Sequence, residues 1–135
     1  MEIGDYDEIF AMWQITSKRA LSQADSRENI LRYLERNPGM SQVALADGKI
    51  VGTVLCGHDG RRGFIHHMAV LPEYRRHQIG MKMAKRAIST LAEAGIDKTH
   101  IFCYIDNSLG HSFWNAMGWK KRDDIDVFSC FNVIE

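Results

Sequence analysis

The stretch QVALADGKIVGTVLCGHDGRRGFIHHMAV, residues 42–70, constrains the fold most. Two Asp-Gly pairs, Asp47-Gly48 and Asp59-Gly60, cut it into three apolar runs rich in β-branched residues. Asp-Gly between such runs is a strong hairpin signal, because both residues tolerate the left-handed backbone a tight turn needs. The spacing predicts an antiparallel meander whose third strand, 63–70, ends at Leu71-Pro72. Such a sheet has to be covered by helices, and the flanks supply them. Upstream, Ile9, Phe10, Trp13 and Ile15 fall near helical spacing from about Asp5 to Ala20, with Asp5 as cap and Glu8 in the capping-box position. A second helix is predicted from Ser26 to Arg36, with Ile30, Tyr33 and Leu34 as its apolar stripe and Asn37-Pro38-Gly39 as its stop.

Downstream, a long helix is predicted from about Arg76 to Ala94, with Ile79, Met83, Ala87, Ile88 and Leu91 on one face and Gly95 just past its end. The run KTHIFCYI, 98–105, reads as a buried strand. Strand, helix and strand make a crossover, so the two strands belong to one sheet. A short helix from Ser108 to Met117, Gly118, and a closing strand pair through Trp119 and DVFSCFNVI complete the chain. The expectation is a single α+β domain over 1–135. It has a mixed, mostly antiparallel sheet of about six strands with helices on both faces, and a first strand that is short (Glu2-Ile3) or missing.

Charge excludes some functions. Lys+Arg and Asp+Glu both number 17. No basic excess exists to hold a nucleic-acid backbone, so any anion site must be local. No apolar run approaches the roughly 20 residues of a membrane helix. Cys56, Cys103 and Cys130 form no C-x-x-C pair and sit in apolar runs, which suits buried free thiols in a reducing compartment. The acidic N-terminus lacks signal-peptide order, so a cytoplasmic protein is expected.

The segment PEYRRHQIGMKMAKRA, 72–87, places Arg75, Arg76, His77 and Gly80 where the long helix begins. A helix start offers unpaired N–H groups and the positive end of its dipole, a ready phosphate site. A solvated charged turn would carry the same residues. Its setting favours the site. The order MAVLPEYRRHQIG, long helix, strand, then DNSLGHSFWNAMGW resembles the GNAT superfamily of acetyl-CoA-dependent N-acyltransferases over residues 42–119, and looks most like its small bacterial single-domain members. In that family a strand ending Ala-Val, then Pro-Glu-Tyr, leads into Arg/Gln-x-x-Gly-x-Gly/Ala.

The resemblance implies a set of roles. The backbone of Met68, Ala69 and Val70 would pair with the pantetheine arm of acetyl-CoA. Arg75 and the stretch Arg76, His77, Gln78, Ile79, Gly80 and Met81 would hold the pyrophosphate. Asn107 would contact the acyl-CoA, and a strand N–H near Met68 would serve as oxyanion donor. Two positions depart from the family. Gln78 stands at the first motif glycine and is expected to keep an ordinary negative φ at a helix start. Trp114 stands where many relatives have a tyrosine that protonates the leaving thiolate, and an indole N–H is far too weak an acid for that.

An amine acceptor must lose a proton, which suits histidine. His66 and His67 precede Met68 on the central strand. Adjacent strand residues point to opposite faces, so one of them should face the acceptor and the other pack under a helix. In one member of the family a catalytic histidine lies four residues before the same valine, the position of His66. His111, one turn before Trp114, is a further candidate acid or base. His58, His77 and His100 read as surface residues. No metal is implied. The implied function is acetyl transfer from acetyl-CoA to a primary amine; the alternative is an acyl-CoA-binding module with little chemistry. A missing first strand would leave a sheet edge that a second copy, as a homodimer, could cover.

Overall fold

The structure is a computed structural model and describes residues 1–134. The chain divides into two compact units, Met1–Phe102 and the residues from Cys103 onward. The first unit contains α1 (Tyr6–Thr16), α2 (Arg27–Arg36), β1 (Gln42–Ala46), β2 (Lys49–His58), β3 (Gly63–Val70), α3 (Ile79–Glu93) and β4 (Thr99–Ile101). The sheet order is β1-β2-β3-β4, antiparallel across the first two pairings and parallel between β3 and β4. The meander and the crossover are as the turn signals and periodicity predict. The strand count is not: among the described residues the sheet has four strands rather than about six.

Three segments account for the difference. Ile3–Asp5 forms a 3₁₀ turn, so no opening strand precedes α1. β4 keeps only three residues of the predicted KTHIFCYI run. The tail adds no strand among the described residues. Val127, Phe128, Phe131, Val133 and Ile134, the apolar residues of the predicted closing pair, are all exposed. An apolar run is compatible with a strand, but a strand also needs a hydrogen-bonded neighbour, which composition cannot supply.

The central strand β2 shows how the sheet is covered. Ile50 through Gly57 are all buried, as expected of a strand enclosed on both faces. On one face, Thr53 accepts a hydrogen bond from the indole N–H of Trp13 in α1, at 3.0 Å, and Gly57 lies against Tyr33 of α2. On the other, Gly52 lies against Met83 and the Cys56 thiol reaches the Ala87 carbonyl of α3. Trp13, Ile9, Ile30 and Val51 are essentially inaccessible to solvent at the heart of the α1/α2 side. Ile15, assigned to that stripe by spacing, is 71 % exposed near the end of α1.

The ends of the helices follow local chemistry. Ser26 caps α2 by accepting the Asn29 N–H. The predicted capping box at α1 does not form: Asp5 makes no cap bond into the helix, and Glu8 instead accepts the Ile50 N–H at 2.7 Å, pinning α1 to the start of β2. α3 ends in a Schellman motif, with Gly95 at φ 84° and its N–H on Ala92 while the Ile96 N–H reaches Leu91. None of the described helices is long and apolar enough to cross a membrane. Of the three free thiols, Cys56 is buried, Cys103 half-buried and Cys130 exposed, so only the first matches the expected core thiol.

Candidate functional site

The start of α3 departs from its sequence expectation in a way that bears on anion binding. The helix opens at Ile79, three residues later than the periodicity suggests. Before it, Arg76 and Gln78 both take left-handed backbone, at φ 71° and 62°, while His77 between them does not. Gln78 therefore does not keep an ordinary negative φ. The motif position does require a glycine-like conformation, and glutamine adopts it at a cost. Alternation of backbone hand turns successive N–H groups toward one side and forms a concavity suited to anions. The first bond of the helix runs from the Lys82 N–H to the Gln78 carbonyl, so the amides of Ile79, Gly80 and Met81 precede the helical ladder. Gly80 is buried, and the Gln78 side chain makes no cap bond. Arg76, His77 and Gln78 are exposed. Arg75 is tied back to the sheet, donating from Nε to the Val70 carbonyl at 3.1 Å.

The strand leading into this turn is bulged. β2 and β3 pair Gly52 with Val70 and Thr53 with Ala69, then resume at Leu55 with His66. Two residues of β3, His67 and Met68, thus stand opposite Val54 alone, and His67 has φ 46°. The extra residue resets the alternation of side chains. His66 and His67 consequently lie on the same face: His66 meets the Tyr33 ring of α2, and His67 stacks on Trp13 of α1 at 4.4 Å. Opposite faces for the two, as simple alternation predicts, do not occur.

Their chemistry differs. His67 donates from Nε2 to the carboxylate Oδ1 of Asp25 at 2.8 Å, and the two side chains are only 7 % and 8 % exposed. A ring nitrogen that carries the hydrogen of that bond cannot take a proton from a substrate. His66 has no such partner. It is exposed, with its ring stacked near Phe64 and edge-on to Tyr33. Partial loss of water lowers its pKa from the ordinary imidazole value; His67 adds to this and Asp25 opposes it. Beside it opens a hollow of about 210 Å³ whose walls include Tyr33, Arg36, Asn37, Gly57, Phe64 and His66. The Tyr33 hydroxyl is buried there without a hydrogen-bond partner. Asn37 is bonded at both ends of its amide, accepting the His58 N–H and donating to the Tyr33 carbonyl.

Other candidates are less suited to chemistry. Burial pushes the Cys56 thiol up to about 11, so a thiolate nucleophile there is disfavoured. Arg61 and Arg62 lie at the opposite end of β3 from Arg75 and Arg76, roughly 25 Å away for eight residues at ~3.3 Å each. Arg62 is engaged with Asp97 at 2.9 Å. No three His, Cys, Asp or Glu side chains converge as metal ligands among the described residues.

The second unit carries α4 (Ser108–Ala116). Asn107 is its N-cap, accepting the Gly110 N–H at 2.9 Å. His111 donates from Nε2 to the Tyr104 carbonyl at 3.0 Å, which leaves Nδ1 as the nitrogen with a free lone pair. α4 also ends in a Schellman motif: the Gly118 N–H reaches Asn115 and the Trp119 N–H reaches Trp114. The hydrophobic contact that accompanies such a cap is here Trp114 against Trp119, 4.4 Å between rings, and Trp114 is buried. Trp114 thus has a packing role of its own.

The sequence singled out the turn before α3 and His66 as candidates. It gave no sign of Asp25, 42 residues from its partner and inside an otherwise ordinary helix-capping run, or of the bulge. Comparisons with known proteins identify the family. A model of the acetyltransferase (GNAT) family matches residues 6–119. Acetyltransferase SG1711 of Sodalis glossinidius (strain morsitans) is 26 % identical over 121 residues, 90 % of this chain and 84 % of that protein. Among solved structures, PaiA N-acetyltransferase from Thermoplasma acidophilum in complex with coenzyme A superposes with a TM-score of 0.77 at 20 % identity, covering 93 % of this chain and 89 % of that one. AAC(6')-Iy in complex with a bisubstrate analogue, CoA-S-monomethyl-acetylneamine, gives 0.75 at 14 % identity over 98 % and 95 % of the two chains.

Proposed function

Since this chain belongs to the acetyltransferase (GNAT) family, we propose that it transfers an acetyl group from acetyl-CoA to a primary amine by direct attack. The observation that carries the proposal is the turn of alternating backbone hand at the start of α3, directly after a bulged strand. The amides of Arg76 to Met81, with the exposed Arg76 and His77, would take the pyrophosphate, and Arg75 would brace the turn against Val70. The backbone of Met68, Ala69 and Val70 would run alongside the pantetheine arm. Asn107 is proposed to contact the acyl-CoA, and His111 is kept as a second candidate acid or base.

The reaction needs a neutral amine, and His66 beside the hollow is the proposed base. The amine nitrogen attacks the thioester carbonyl. The N–C bond forms, the oxyanion is met by an N–H near Met68, and the C–S bond breaks as the carbonyl re-forms. The amine proton passes to His66 and the thiolate leaves as CoA. With Trp114 unable to donate, the thiolate is protonated by solvent. A buried Cys56 thiol, held neutral, supports direct transfer over a covalent acyl-enzyme. A cytoplasmic setting, in which the three thiols stay reduced, fits this chemistry.

The test is thiol release from acetyl-CoA across a broad amine screen. His66→Ala is expected to lower kcat by about 10²-fold or more with acetyl-CoA affinity unchanged. Wild-type protein that neither binds acetyl-CoA nor releases thiol refutes the proposal. The second reading, an acyl-CoA-binding module, is motivated by Gln78 and Trp114; robust turnover that collapses in His66→Ala removes it. β1 is an edge strand with Leu45 63 % exposed, and a homodimer paired along it is part of the proposal. A monomeric mass by light scattering at working concentration rejects that part.

A further inference from the structure

We propose that the buried Asp25–His67 pair is a positioning device: it fixes the β3 bulge in the shape that acyl transfer requires. This rests on the acetyl-transfer function proposed above. His67 occupies the bulge itself, with left-handed backbone. That conformation is unfavourable for a side chain of this size and persists only where surrounding contacts determine it.

Those contacts hold His67 at both ends. At its side chain, Nε2 donates to Asp25 at 2.8 Å while the ring lies on Trp13. At its backbone, the carbonyl accepts the Thr53 hydroxyl at 3.0 Å. The same hydroxyl accepts the Trp13 indole N–H, so ring platform and carbonyl clamp share one atom. Asp25 cannot swing away. Its Oδ2 accepts the Ser22 N–H at 3.0 Å, and its main-chain carbonyl accepts the Tyr6 hydroxyl at 2.6 Å. Thus the link between α1 and α2, which holds Asp25, sets the geometry of a strand 42 residues away.

A purely stabilising role accounts for this poorly. Buried charged pairs are often replaceable by apolar residues with no loss of stability. What such a pair supplies is direction, and the next residue is Met68, whose neighbourhood is the proposed oxyanion donor. A misplacement of about 1 Å at a reacting centre can cost about 10²-fold in rate. The pair touches neither the α3 turn nor its amides, so cofactor affinity should be spared.

The experiment compares wild type, Asp25→Asn, His67→Gln and the double variant, each checked for folding by circular dichroism. Expected are a fall in kcat of at least about tenfold in each single variant, acetyl-CoA affinity within about threefold, and a double variant no worse than the poorer single. Hydrogen exchange at the amides of residues 66–69 should quicken at least about tenfold in Asp25→Asn, with β1 unchanged. If either single variant fails to fold, Thr53→Val, which removes the carbonyl clamp at constant shape, replaces it with the same expected signature. Folded variants with kcat within about twofold of wild type and unchanged exchange overturn the proposal. So does a loss of kcat matched by an equal loss of acetyl-CoA affinity. If wild type turns over no amine, the proposed function fails; the exchange result then decides whether the pair holds the bulge.

Discussion

Two residues of the site carry tension that can be measured one at a time. Gln78 sits at φ 62°, exposed, with no cap bond to repay the conformation. Left-handed backbone costs a non-glycine residue about 1–2 kcal/mol, and glycine gives back part of that in chain entropy, about 0.5–1 kcal/mol. Gln78→Gly is therefore expected to raise stability by up to about 1 kcal/mol, about 4 °C in Tm for a chain of this size, and to bind acetyl-CoA at least as tightly. A lower Tm would mean that the glutamine side chain contributes something the backbone cost conceals. His66 is the second residue. Crowding by its aromatic neighbours, and then His67, hold its pKa below the ordinary imidazole value, with Asp25 pulling the other way. A lowered pKa keeps the ring neutral, and able to accept a proton, to lower pH. The acidic limb of kcat/KM should accordingly fall at a pH below about 6.5, the unperturbed value, and vanish in His66→Ala. A limb at or above 6.5 would assign it to another group.

At the scale of elements, glycines mark where helices press closest on the sheet, and they are not equivalent. A Cβ added at Gly57 would lie 2.5 Å from the Asn37 Nδ2 and 2.8 Å from the Tyr33 hydroxyl. Asn37 cannot yield, because both ends of its amide are bonded. At Gly52 the nearest obstacle, at 2.8 Å, is the terminal methyl of Met83, a flexible group. Gly57→Ala should thus cost about 1–3 kcal/mol by forcing α2 off β2, and Gly52→Ala distinctly less; urea unfolding of both variants would show the order, and equal losses would contradict it. The same elements show what the sequence makes legible. The Asp-Gly turns and the switch from helical to alternating period set out β1, β2 and β3, because those signals are local. MAV followed by RRHQIG drew attention to the turn before α3 for the same reason. The bulge was not legible, since one inserted residue leaves an apolar run looking intact. Nor were Asp25–His67 and Glu8–Ile50, which are pairings between distant parts of the chain whose members each fit a commonplace local role. The tail erred in the other sense: its apolar run was read as a strand pair, and the partner such a pair needs was assumed.

At the scale of the whole molecule, the buried carboxylate of Asp25 ties stability to pH. Burial pushes its carboxyl up. The hydrogen bond and charge of His67, the Ser22 N–H and the charge of His66 together outweigh that and hold it below the ordinary value of 3.8. The folded protein therefore binds this proton less readily than the unfolded chain. Above the ordinary carboxylate range both states are ionised and the stabilisation is fully present. As pH falls through 3.8 the unfolded chain protonates first, and the contribution drains away until the folded-state carboxyl titrates as well. One such group can change stability by at most about 1.4 kcal/mol per pH unit. Asp59 is also held low, by the Arg62 and then the Arg61 N–H group, but on an exposed turn where solvent screens its charge. Unfolding free energies measured in urea from pH 5 to 2.5 should fall less steeply for Asp25→Asn than for wild type, while Asp59→Asn should track wild type closely. If Asp25→Asn and wild type lose stability in parallel, the acid sensitivity of this fold arises elsewhere, and the Asp25–His67 contact does not hold its carboxylate in the charged form.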